Sequence, residues 1–538
     1  MRSPRLTSLV LLGGAIAGGL VLEAADETSS GVDPSAPEVR PGVALPTALP
    51  DPTLASTWFC AGGTADADGF ADHVLVIANP TDRARTARIT VINGAFAEAP
   101  SPAATTAETG AAETTTTAAA AEPAATTTTE APATTTTVRP VPVETELELP
   151  ALSRLEVRVG DLSAAPLAGA VVEVDGGEIA VEHSVEGELG RATAPCSTTA
   201  SATWSFPWGV TSRGNRELLV FMNPFPDDAT VDIAFATDEG VRDTARFQGF
   251  VIPGRSVVGA YVDQDVQRKD QVSAQVQVRG GRLVIDRIQT FDGTDGRQGM
   301  TLGLGAPAPA ETWIYPMGTT GPGLLEQMVV YNPTDEVAEV EVELRLDAPG
   351  EAGPPEPFEL TVPPGRYSLI DLSAEERVPQ GVGHALIVRS LNGVPVTAER
   401  VSSAAEPATH TGIAATLGSP VGASTWYFAG GGPSAERAHD LVLFNISTDD
   451  DVTFSVTGFS GGQSAAVPTL QDQVLAPGGR IEIRVGDHIE DEDLSTVVTA
   501  DGPIVAERGL YAIGGGGMSL AIGIPLADGL VTPDPVEG

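Results

Sequence analysis

The chain lacks the residue arrangements on which catalysis depends. Its 538 residues include only six histidines, and these are scattered along the sequence. No Ser/His/Asp arrangement, paired carboxylates, metal-ligand spacing or phosphate-binding glycine-rich loop is visible. We therefore predict that the protein is not an enzyme, and that it has no catalytic residues, no metal site and no cofactor.

Basic residues are also scarce. Lys269 is the only lysine, and 72 acidic residues against 30 basic ones give a formal net charge of −42. A charge of this size repels nucleic acid and anionic lipid head groups. The sequence therefore predicts no nucleic-acid partner, and it leaves the actual partner unknown.

Only one long apolar run is present, and it lies at the N-terminus. Arg2 and Arg5 precede a stretch of 17 residues from Leu6 to Leu22, which is the pattern of an export signal. Because 17 residues also reach the lower limit for a membrane span, residues 1–25 are interpreted as a signal peptide or as an N-terminal membrane anchor. Residues 26–53 are predicted to be a flexible linker. Either way the protein is expected to be extracellular or in the cell envelope, touching the membrane only through its N-terminal segment.

Cysteine occurs only twice, at Cys60 and Cys196. In the oxidising compartment that an exported protein enters, such a pair is expected to form a disulfide. Closing so long a loop would contribute about 4–5 kcal/mol in the chain-entropy description. A metal pair or a reactive thiol is the alternative, although no companion cysteine exists.

One pattern occurs four times along the chain. Each copy opens on a tryptophan and passes through a glycine-bearing turn into an apolar run that ends in asparagine. The tryptophans are Trp58, Trp204, Trp313 and Trp426, and the asparagines are Asn79, Asn223, Asn332 and Asn445. The tryptophan spacings of 146, 109 and 113 residues suit independently folding domains. We predict modules at residues 54–200, 201–308, 309–421 and 422–528, and a disordered tail at 529–538.

Alternation of apolar and charged residues dominates within each repeat. In repeat 3, Val340, Val342 and Leu344 alternate with charged residues, which is typical of a strand with one packed and one solvated face. Near the end of each repeat a turn dipeptide, clearest at Asp501-Gly502, predicts a β-hairpin. The pattern favours an all-β fold: a tandem array of four seven-stranded immunoglobulin-like β-sandwich modules behind the N-terminal signal or anchor and flexible stalk. A four-bladed propeller would need repeats of only about 45 residues.

Repeat 1 is longer than the others because it contains a low-complexity insert at residues 97–138, made of Ala, Thr, Pro and Glu. This composition buries too little apolar surface to offset its ordering entropy, so a disordered loop is predicted. O-glycosylation of the Thr/Pro-rich tract is the alternative role for the insert.

An acidic residue followed by arginine or histidine recurs near the end of every repeat. The four pairs are Glu182-His183, Asp286-Arg287, Glu399-Arg400 and Glu507-Arg508. Because adjacent residues on a strand point to opposite faces, we interpret one member as pairing at a strand end and the other as solvated. A repeated ligand contact is the alternative. The acidic runs at 449–451 and 490–493 are interpreted as solvated turns, with a calcium site as the alternative.

The tryptophans suggest a second function. Aromatic rings can pack on the apolar faces of sugars, so contacts with a cell-envelope glycan or another envelope protein are assigned to Trp58, Trp204, Trp208, Trp313 and Trp426. Core packing is the competing interpretation for the four repeat tryptophans. Trp208 lies outside the repeat pattern and is the better candidate for an exposed ring.

The combined motifs resemble a known family. The N-terminal signal or anchor, the segment from Trp58 to Gly63, the apolar-Asn-Pro runs and closing elements such as Ala398-Glu399-Arg400 resemble the actinobacterial exported proteins grouped as domain of unknown function 5719. The resemblance extends over about residues 54–528 and implies a cell-envelope setting without an activity. We therefore expect a non-catalytic exported cell-envelope protein that acts as a structural scaffold or interaction module. A cell-wall glycan-binding protein is the alternative.

Overall fold

Strands form nearly all of the regular structure in the computed structural model, which describes residues 44–98, 141–347 and 353–533. Within these ranges the only α-helix is α1 (Val159–Leu162), so the predicted all-β class is confirmed. No helix among the described residues is long and apolar enough to cross a membrane. The predicted signal or anchor at 1–25 and nearly all of the insert at 97–138 lie outside the described residues.

Repeats 1 and 2 each contain eight strands. In repeat 1 these are β1 (Ala55–Gly63), β2 (Asp72–Asn79), β3 (Arg85–Phe96), β4 (Val143–Leu149), β5 (Ser153–Arg158), β6 (Leu167–Asp175), β7 (Ala180–Gly187) and β8 (Gly190–Pro195). In repeat 2 they are β9 (Thr203–Phe206), β10 (Asn215–Asn223), β11 (Ala229–Thr237), β12 (Gly240–Ile252), β13 (Ser256–Tyr261), β14 (Ser273–Gly280), β15 (Val284–Asp292) and β16 (Gln298–Leu304).

Repeat 3 follows the same plan, and repeat 4 varies it. Repeat 3 has β17 (Thr312–Gly318), β18 (Leu324–Tyr331), β19 (Ala338–Leu346), β20 (Phe358–Val362), β21 (Tyr367–Asp371), β22 (His384–Ser390), β23 (Thr397–Ala404) and β24 (Gly412–Leu417). Repeat 4 has β25 (Ala423–Phe428), β26 (Arg437–Asn445), β27 (Val452–Ser460), β28 (Gln463–Ala466), β29 (Gln473–Leu475), β30 (Arg480–Arg484), β31 (Ser495–Ala512), β32 (Met518–Ile522) and β33 (Ile524–Pro525). Single-turn 3-10 helices lie at Val262–Gln264, Leu372–Ala374, Pro468–Leu470 and Val485–Asp487.

The strands pair in the same order in every repeat. If the eight strands of a repeat are lettered a to h along the chain, one sheet has the order a-f-c-d and the other e-b-g-h. In repeat 4 the long strand β31 supplies both f and g, and d is divided between β28 and β29. The count is therefore eight strands and not the predicted seven. The missed strand is d, an edge strand whose mostly exposed side chains, as in β28, carry little apolar alternation.

The predicted hairpin near the end of each repeat is wrong. In repeats 1 to 3 strands f and g belong to different sheets, and in repeat 4 Asp501-Gly502 lies inside the continuous strand β31, whose two halves pair with different neighbours. The turn dipeptide therefore carries the chain from one set of strand partners to the other. A turn dipeptide specifies only that the chain changes direction. Which strands pair depends on which residues are buried, and the runs on both sides of the dipeptide have a face buried in the core.

Tryptophan and asparagine fix the ends of the repeated strands. The Nε1 atoms of Trp204, Trp313 and Trp426 donate hydrogen bonds to the carbonyl oxygens of residues 283, 396 and 504, at 3.1, 2.8 and 2.9 Å. Asn332 Nδ2 donates to the carbonyls of Glu336 and Val362, and its Oδ1 accepts from the Thr334 amide. This hydrogen bonding is the local turn role that asparagine side chains commonly have. It also accounts for Asn445, which is buried and bonded in the same way.

The h strands bring the four repeats together in a closed cycle. Strand β8 contacts β16, β16 contacts β24, β24 contacts β32, and β32 contacts β8. Repeat 1 therefore contacts both repeat 2 and repeat 4, with the Thr193 amide donating to Ser519 Oγ at 2.9 Å. At the start of each h strand a glycine has a φ between +114° and +150° and lies close to a neighbouring repeat: Gly190, Gly299, Gly412 and Gly517. A side chain at these positions would be strained in conformation.

The two ends of the described chain meet beside this cycle. The amide of Ala48 donates to the carbonyl of Pro525 at 2.9 Å, and the amide of Ala527 donates back to Ala48. Residues 44–46 line a small cavity of about 60 Å³ together with residues from all four h strands. Residues 44–48 of the predicted linker are therefore packed against the repeats, and Val531 in the predicted tail bonds to Gly422.

Candidate functional site: buried charged junctions between repeats

The recurring acidic-basic pairs lie between the repeats. All eight residues are buried, none more than 3% exposed: Glu182, His183, Asp286, Arg287, Glu399, Arg400, Glu507 and Arg508. The interpretation that one member of each pair is solvated is therefore wrong. Adjacent residues on strand g do point to opposite faces, but both faces are covered: the acidic residue binds the preceding repeat, and the basic residue lies against its own repeat and the acidic residue of the following one.

Three junctions use one arrangement, which is clearest between repeats 4 and 1. Arg508 Nη1 donates to Glu182 Oε2 at 2.9 Å, and the amide of Gly430 donates to the same oxygen at 3.0 Å. Arg508 Nη1 also donates to the Gly430 carbonyl. The carboxylate of repeat 1 thus binds both a guanidinium and a backbone amide of repeat 4. Hydrogen bonds between ionised groups are the stronger class.

The other two arginine junctions repeat this geometry. Between repeats 2 and 3, Arg287 donates to Glu399, and the Trp208 amide donates to Glu399 Oε2 at 3.1 Å. Between repeats 3 and 4, Arg400 donates to Glu507, and the Met317 amide donates to Glu507 Oε2 at 2.9 Å. In both cases the arginine also donates to the carbonyl of the residue whose amide binds the carboxylate.

Two further positions complete each junction, and sequence reasoning missed both. The first is the fourth residue after each repeat tryptophan, which supplies the bonded peptide group: Gly62, Trp208, Met317 and Gly430. The second is the sixth residue before each repeat asparagine, which is buried beside the pair: His73, Glu217, Glu326 and His439. Alignment of the four repeats on their tryptophans and asparagines is the signal that would have found them.

The junction between repeats 1 and 2 has histidine in place of arginine. Asp286 Oδ2 accepts a hydrogen bond from the Ala61 amide at 3.1 Å and lies 3.4 Å from His183 Nε2. His183 Nδ1 lies 3.1 Å from His73 Nε2, and His73 Nδ1 lies 2.9 Å from the carbonyl oxygen of Ala168. Since a carbonyl only accepts, neutral rings require His73 Nδ1 and His183 Nδ1 to donate. His183 Nε2 then faces Asp286 as an acceptor, so the proton between them belongs to Asp286.

Burial supports this neutral state. Desolvation raises the pKa of Asp286 to about 8, against the lowering effect of the amides of Ala61 and Gly62. Desolvation also lowers the pKa of His73 to about 4, and it lowers that of His183 well below its usual value. The His183–Asp286 contact is therefore uncharged near pH 7, whereas each of the other three junctions pairs a carboxyl group with an arginine guanidinium.

Glu217 lies beside the Arg287–Glu399 ion pair at the 2–3 junction, and it is also protonated near pH 7. Burial raises the pKa of Glu217 to about 8, although the Arg287 guanidinium opposes this rise. At the 4–1 junction the corresponding residue is His439, whose pKa burial holds well below its usual value. Both neighbours are thus neutral near pH 7, which leaves Arg287 and Arg508 each matched by one carboxylate.

A second layer of arginines links the repeats nearer the surface. Arg154 of repeat 1 donates to the carbonyl of Glu492 and to Asp493 of repeat 4, at 3.0 and 3.1 Å. Arg480 of repeat 4 donates to the carbonyl of Pro316 and to Asp347 of repeat 3, both at 2.6 Å. The acidic run at 490–493 therefore contacts repeat 1, in addition to forming a turn.

The tryptophans that were candidate glycan contacts are all inside the protein. Trp58, Trp204, Trp313 and Trp426 have no exposed surface, and Trp208 is 1% exposed. Trp208 packs against Phe291, Val329 and Val401 at the junction between repeats 2 and 3. Burial removes the ring faces that a sugar would need, so these five residues act in packing. Met317 centres a similar apolar cluster at the 3–4 junction.

The predicted disulfide is present. Cys60 in β1 is bonded to Cys196, just after β8, and no cysteine is free. The bond ties the first and last strands of repeat 1 together. Among the residues that the structure describes, no group of three or more His, Cys, Asp or Glu side chains is arranged to hold a metal ion.

Comparison with known proteins gives one family match. The model of the family of unknown function DUF5719 matches residues 176–292, a range that contains both Glu182-His183 and Asp286-Arg287. No curated protein matches the chain. A crystal structure of Thermotoga maritima 1070 aligns over 20% of this chain and 93% of its own length, with 19% identity and a TM-score of 0.18, and a likeness this weak carries no argument.

Proposed function

We propose that this protein is a non-catalytic, exported component of the cell envelope that acts as a structural scaffold or interaction module. The observation that carries the proposal is the burial of the recurring charged residues. Glu182, Arg287, Glu399, Arg400, Glu507 and Arg508 bind one another or backbone groups between repeats. Residues engaged in this way stabilise the assembly of the repeats and do not face a solvent-borne substrate.

We further propose that each repeat is an immunoglobulin-like β-sandwich and that the chain is an array of four such modules. The recurrence of the pairing orders a-f-c-d and e-b-g-h in all four repeats supports this, since antiparallel strands with crossover connections between two packed layers are the sandwich architecture. The cyclic contacts of the h strands support a compact array over an extended rod. Such an array presents several outward surfaces from one rigid body, which suits a scaffold.

The envelope location rests on the N-terminal sequence and on the resemblance to exported actinobacterial proteins. Arg2, Arg5 and the apolar run Leu6–Leu22 have the order of charges and apolar residues that export signals use. The disulfide in repeat 1 supports an oxidising compartment.

A fractionation experiment tests this proposal. The full chain, carrying a C-terminal epitope, is expressed in a bacterium beside a variant that lacks residues 6–22. We expect the full chain in the envelope or the medium, accessible to added protease in intact cells, and the deletion variant in the cytoplasm. Equal cytoplasmic retention of both proteins would refute export. The mass of the mature N-terminus separates a cleaved signal from a retained anchor.

A further inference from the structure

A cleft lies at the surface between repeats 1 and 2. It has a volume of about 590 Å³, and its lining includes Phe70, Leu189, Arg216, Tyr261, Ile288 and Thr290. This volume falls within the range of about 300–1,000 Å³ that is usual for small-molecule sites. Phe70 and Leu189 come from repeat 1 and the other four residues from repeat 2, so the cleft exists only because the two repeats are joined.

Sequence differences between repeats explain why the 1–2 junction has fewer large side chains than the 2–3 junction. At the 2–3 junction, Trp208 and Phe291 stack with ring centres 5.8 Å apart. The same positions of repeat 1, counted from Trp58 and from Glu182, hold Gly62 and Gly187. A Cβ at Gly187 would overlap the carbonyl oxygen of Phe70. Glycine at this position therefore lets the loop of Phe70 approach the strand beside the cleft.

The two aromatic side chains that line the cleft, Phe70 and Tyr261, are connected in a column by Phe96, which lies outside the lining. Phe70 lies 6.4 Å from Phe96, Phe96 stacks on Tyr261 at 5.6 Å, and the Arg216 guanidinium lies 3.7 Å from the centre of the Tyr261 ring. Phe70 is 37% exposed, in contrast to the buried tryptophans. One end of the column is thus an accessible ring, and the other end is an accessible guanidinium whose position is fixed by stacking.

Polar groups stand on both sides of an apolar floor. Leu218 and Ile288 lie at the base, Asp68 and Glu188 are exposed on the side of repeat 1, and Arg216 and Thr290 lie on the side of repeat 2. The Arg216 guanidinium is 3.7 Å from the Asp263 carboxylate, which offsets part of its charge. The cleft therefore offers hydrogen-bond acceptors and donors at its edges without a strong net positive charge.

From this geometry we propose that the cleft binds a neutral oligosaccharide. A sugar ring has an apolar C–H face that can pack on Phe70 and the floor, and hydroxyl groups that both donate to Asp68 and Glu188 and accept from Arg216 and Thr290. An anionic glycan is disfavoured by the two carboxylates and by the net charge of −42. A basic peptide would be attracted by the same two carboxylates, so it is a competing class in the binding test.

This inference does not rest on the scaffold function, because the cleft would bind its ligand wherever the chain is located. The fractionation described above and a binding measurement on the purified chain can therefore fail independently of each other.

Ligand-observed saturation-transfer NMR on the purified full chain tests the proposal. The probes are three neutral trisaccharides (maltotriose, cellotriose and triacetylchitotriose), with a heparin oligosaccharide and a Lys/Leu peptide as competing classes. We expect at least one neutral trisaccharide to bind, and Phe70→Ala and Arg216→Ala each to weaken binding about tenfold (about 1.4 kcal/mol). Phe225→Ala and Arg279→Ala are matched controls, because Phe225 is 39% exposed and the Arg279 side chain 57% exposed at sites away from the cleft.

Unchanged affinity in both control variants, together with weakened affinity in both cleft variants, would support the site. Three results would overturn it: no neutral trisaccharide binds, the same trisaccharide binds the Phe70→Ala and Arg216→Ala variants with unchanged affinity, or the peptide or heparin probe binds the cleft in its place. Circular dichroism of each variant verifies that the fold is retained.

Discussion

The 1–2 junction and the 4–1 junction share two residue types but differ in the acidic-basic pair that joins the repeats. Both have glycine four residues after the repeat tryptophan and histidine six residues before the asparagine. At the 4–1 junction Arg508 binds Glu182 as an ionised pair, whereas at the 1–2 junction His183 faces Asp286 as a neutral pair. Replacing arginine by histidine and glutamate by aspartate thus converts a charged contact into an uncharged one.

The weaker side-chain contact at the 1–2 junction coincides with a stronger backbone contact. Strand β3 pairs in parallel with β13 at Gly94, Ala95 and Phe96, so one sheet runs through both repeats. Among the sheets that the structure describes, this is the only one that contains strands of two repeats. The comparison shows that repeats can be joined by shared sheet hydrogen bonds or by buried ion pairs.

The largest effect is expected from breaking the charged junction. Glu182→Gln leaves the Arg508 guanidinium buried without a carboxylate, because the neighbouring His439 is uncharged. Removing one partner of a buried ion pair typically costs about 3–5 kcal/mol. We expect this loss in chemical denaturation of the full chain. Glu146→Gln is the control, since Glu146 forms an exposed pair with Arg88, and it should leave the denaturation midpoint unchanged. Equal midpoints for both variants would show that the junction contributes nothing.

A smaller effect is expected from converting one junction into the other. His183→Arg alone places an arginine opposite a carboxylate that is one methylene too short, and Asp286→Glu alone crowds the neutral histidine. The double variant rebuilds the Arg508–Glu182 arrangement, so we expect a favourable coupling energy of about 1–3 kcal/mol in the double-mutant cycle. Strictly additive effects would mean that residues 183 and 286 do not interact.

The two junctions are also expected to differ in pH dependence. The folded pKa of Asp286 is raised from 3.8 to about 8, so its protonated form contributes stability that is complete below about pH 4 and lost as pH rises through 8. His73, with a pKa lowered to about 4, acts in the opposite direction below pH 6.5. We expect the melting temperature of the native chain, relative to Asp286→Asn, to fall between pH 5 and pH 8. A constant difference over this range would show that Asp286 is ionised throughout.

Much of the fold follows from short-range patterns in the sequence. Val340, Val342 and Leu344 are buried while their charged neighbours are not fully buried, as alternation predicts, because one face of the sheet meets the core. The turn role of Asn332 likewise follows from local hydrogen bonding. The fourth strand of each repeat escaped prediction, since an edge strand needs few apolar residues, and the Asp501-Gly502 turn did not reveal which strands pair.

The contacts at the junctions could not be predicted from the sequence, for a different reason. Burial of Glu399 and Arg400 depends on contacts with neighbouring repeats, and the recurrence of these pairs in the sequence does not show that they are buried or what they bind. The burial of Trp208 has the same cause, because its ring fills a space that only the next repeat creates. Registering the four repeats against one another identifies these positions, but three-dimensional proximity is needed to show what they bind.

The closed cycle of repeats is tested most directly by cross-linking its first and last members. Thr193 and Ser519 are joined by a 2.9 Å hydrogen bond between repeats 1 and 4, so cysteines introduced at these two positions should form a disulfide within one chain. We expect mass spectrometry of a non-reduced digest to show residues 193 and 519 linked in monomeric protein, beside the native Cys60–Cys196 bond. Free thiols at both positions under oxidising conditions, or links formed only between chains, would contradict a closed cycle.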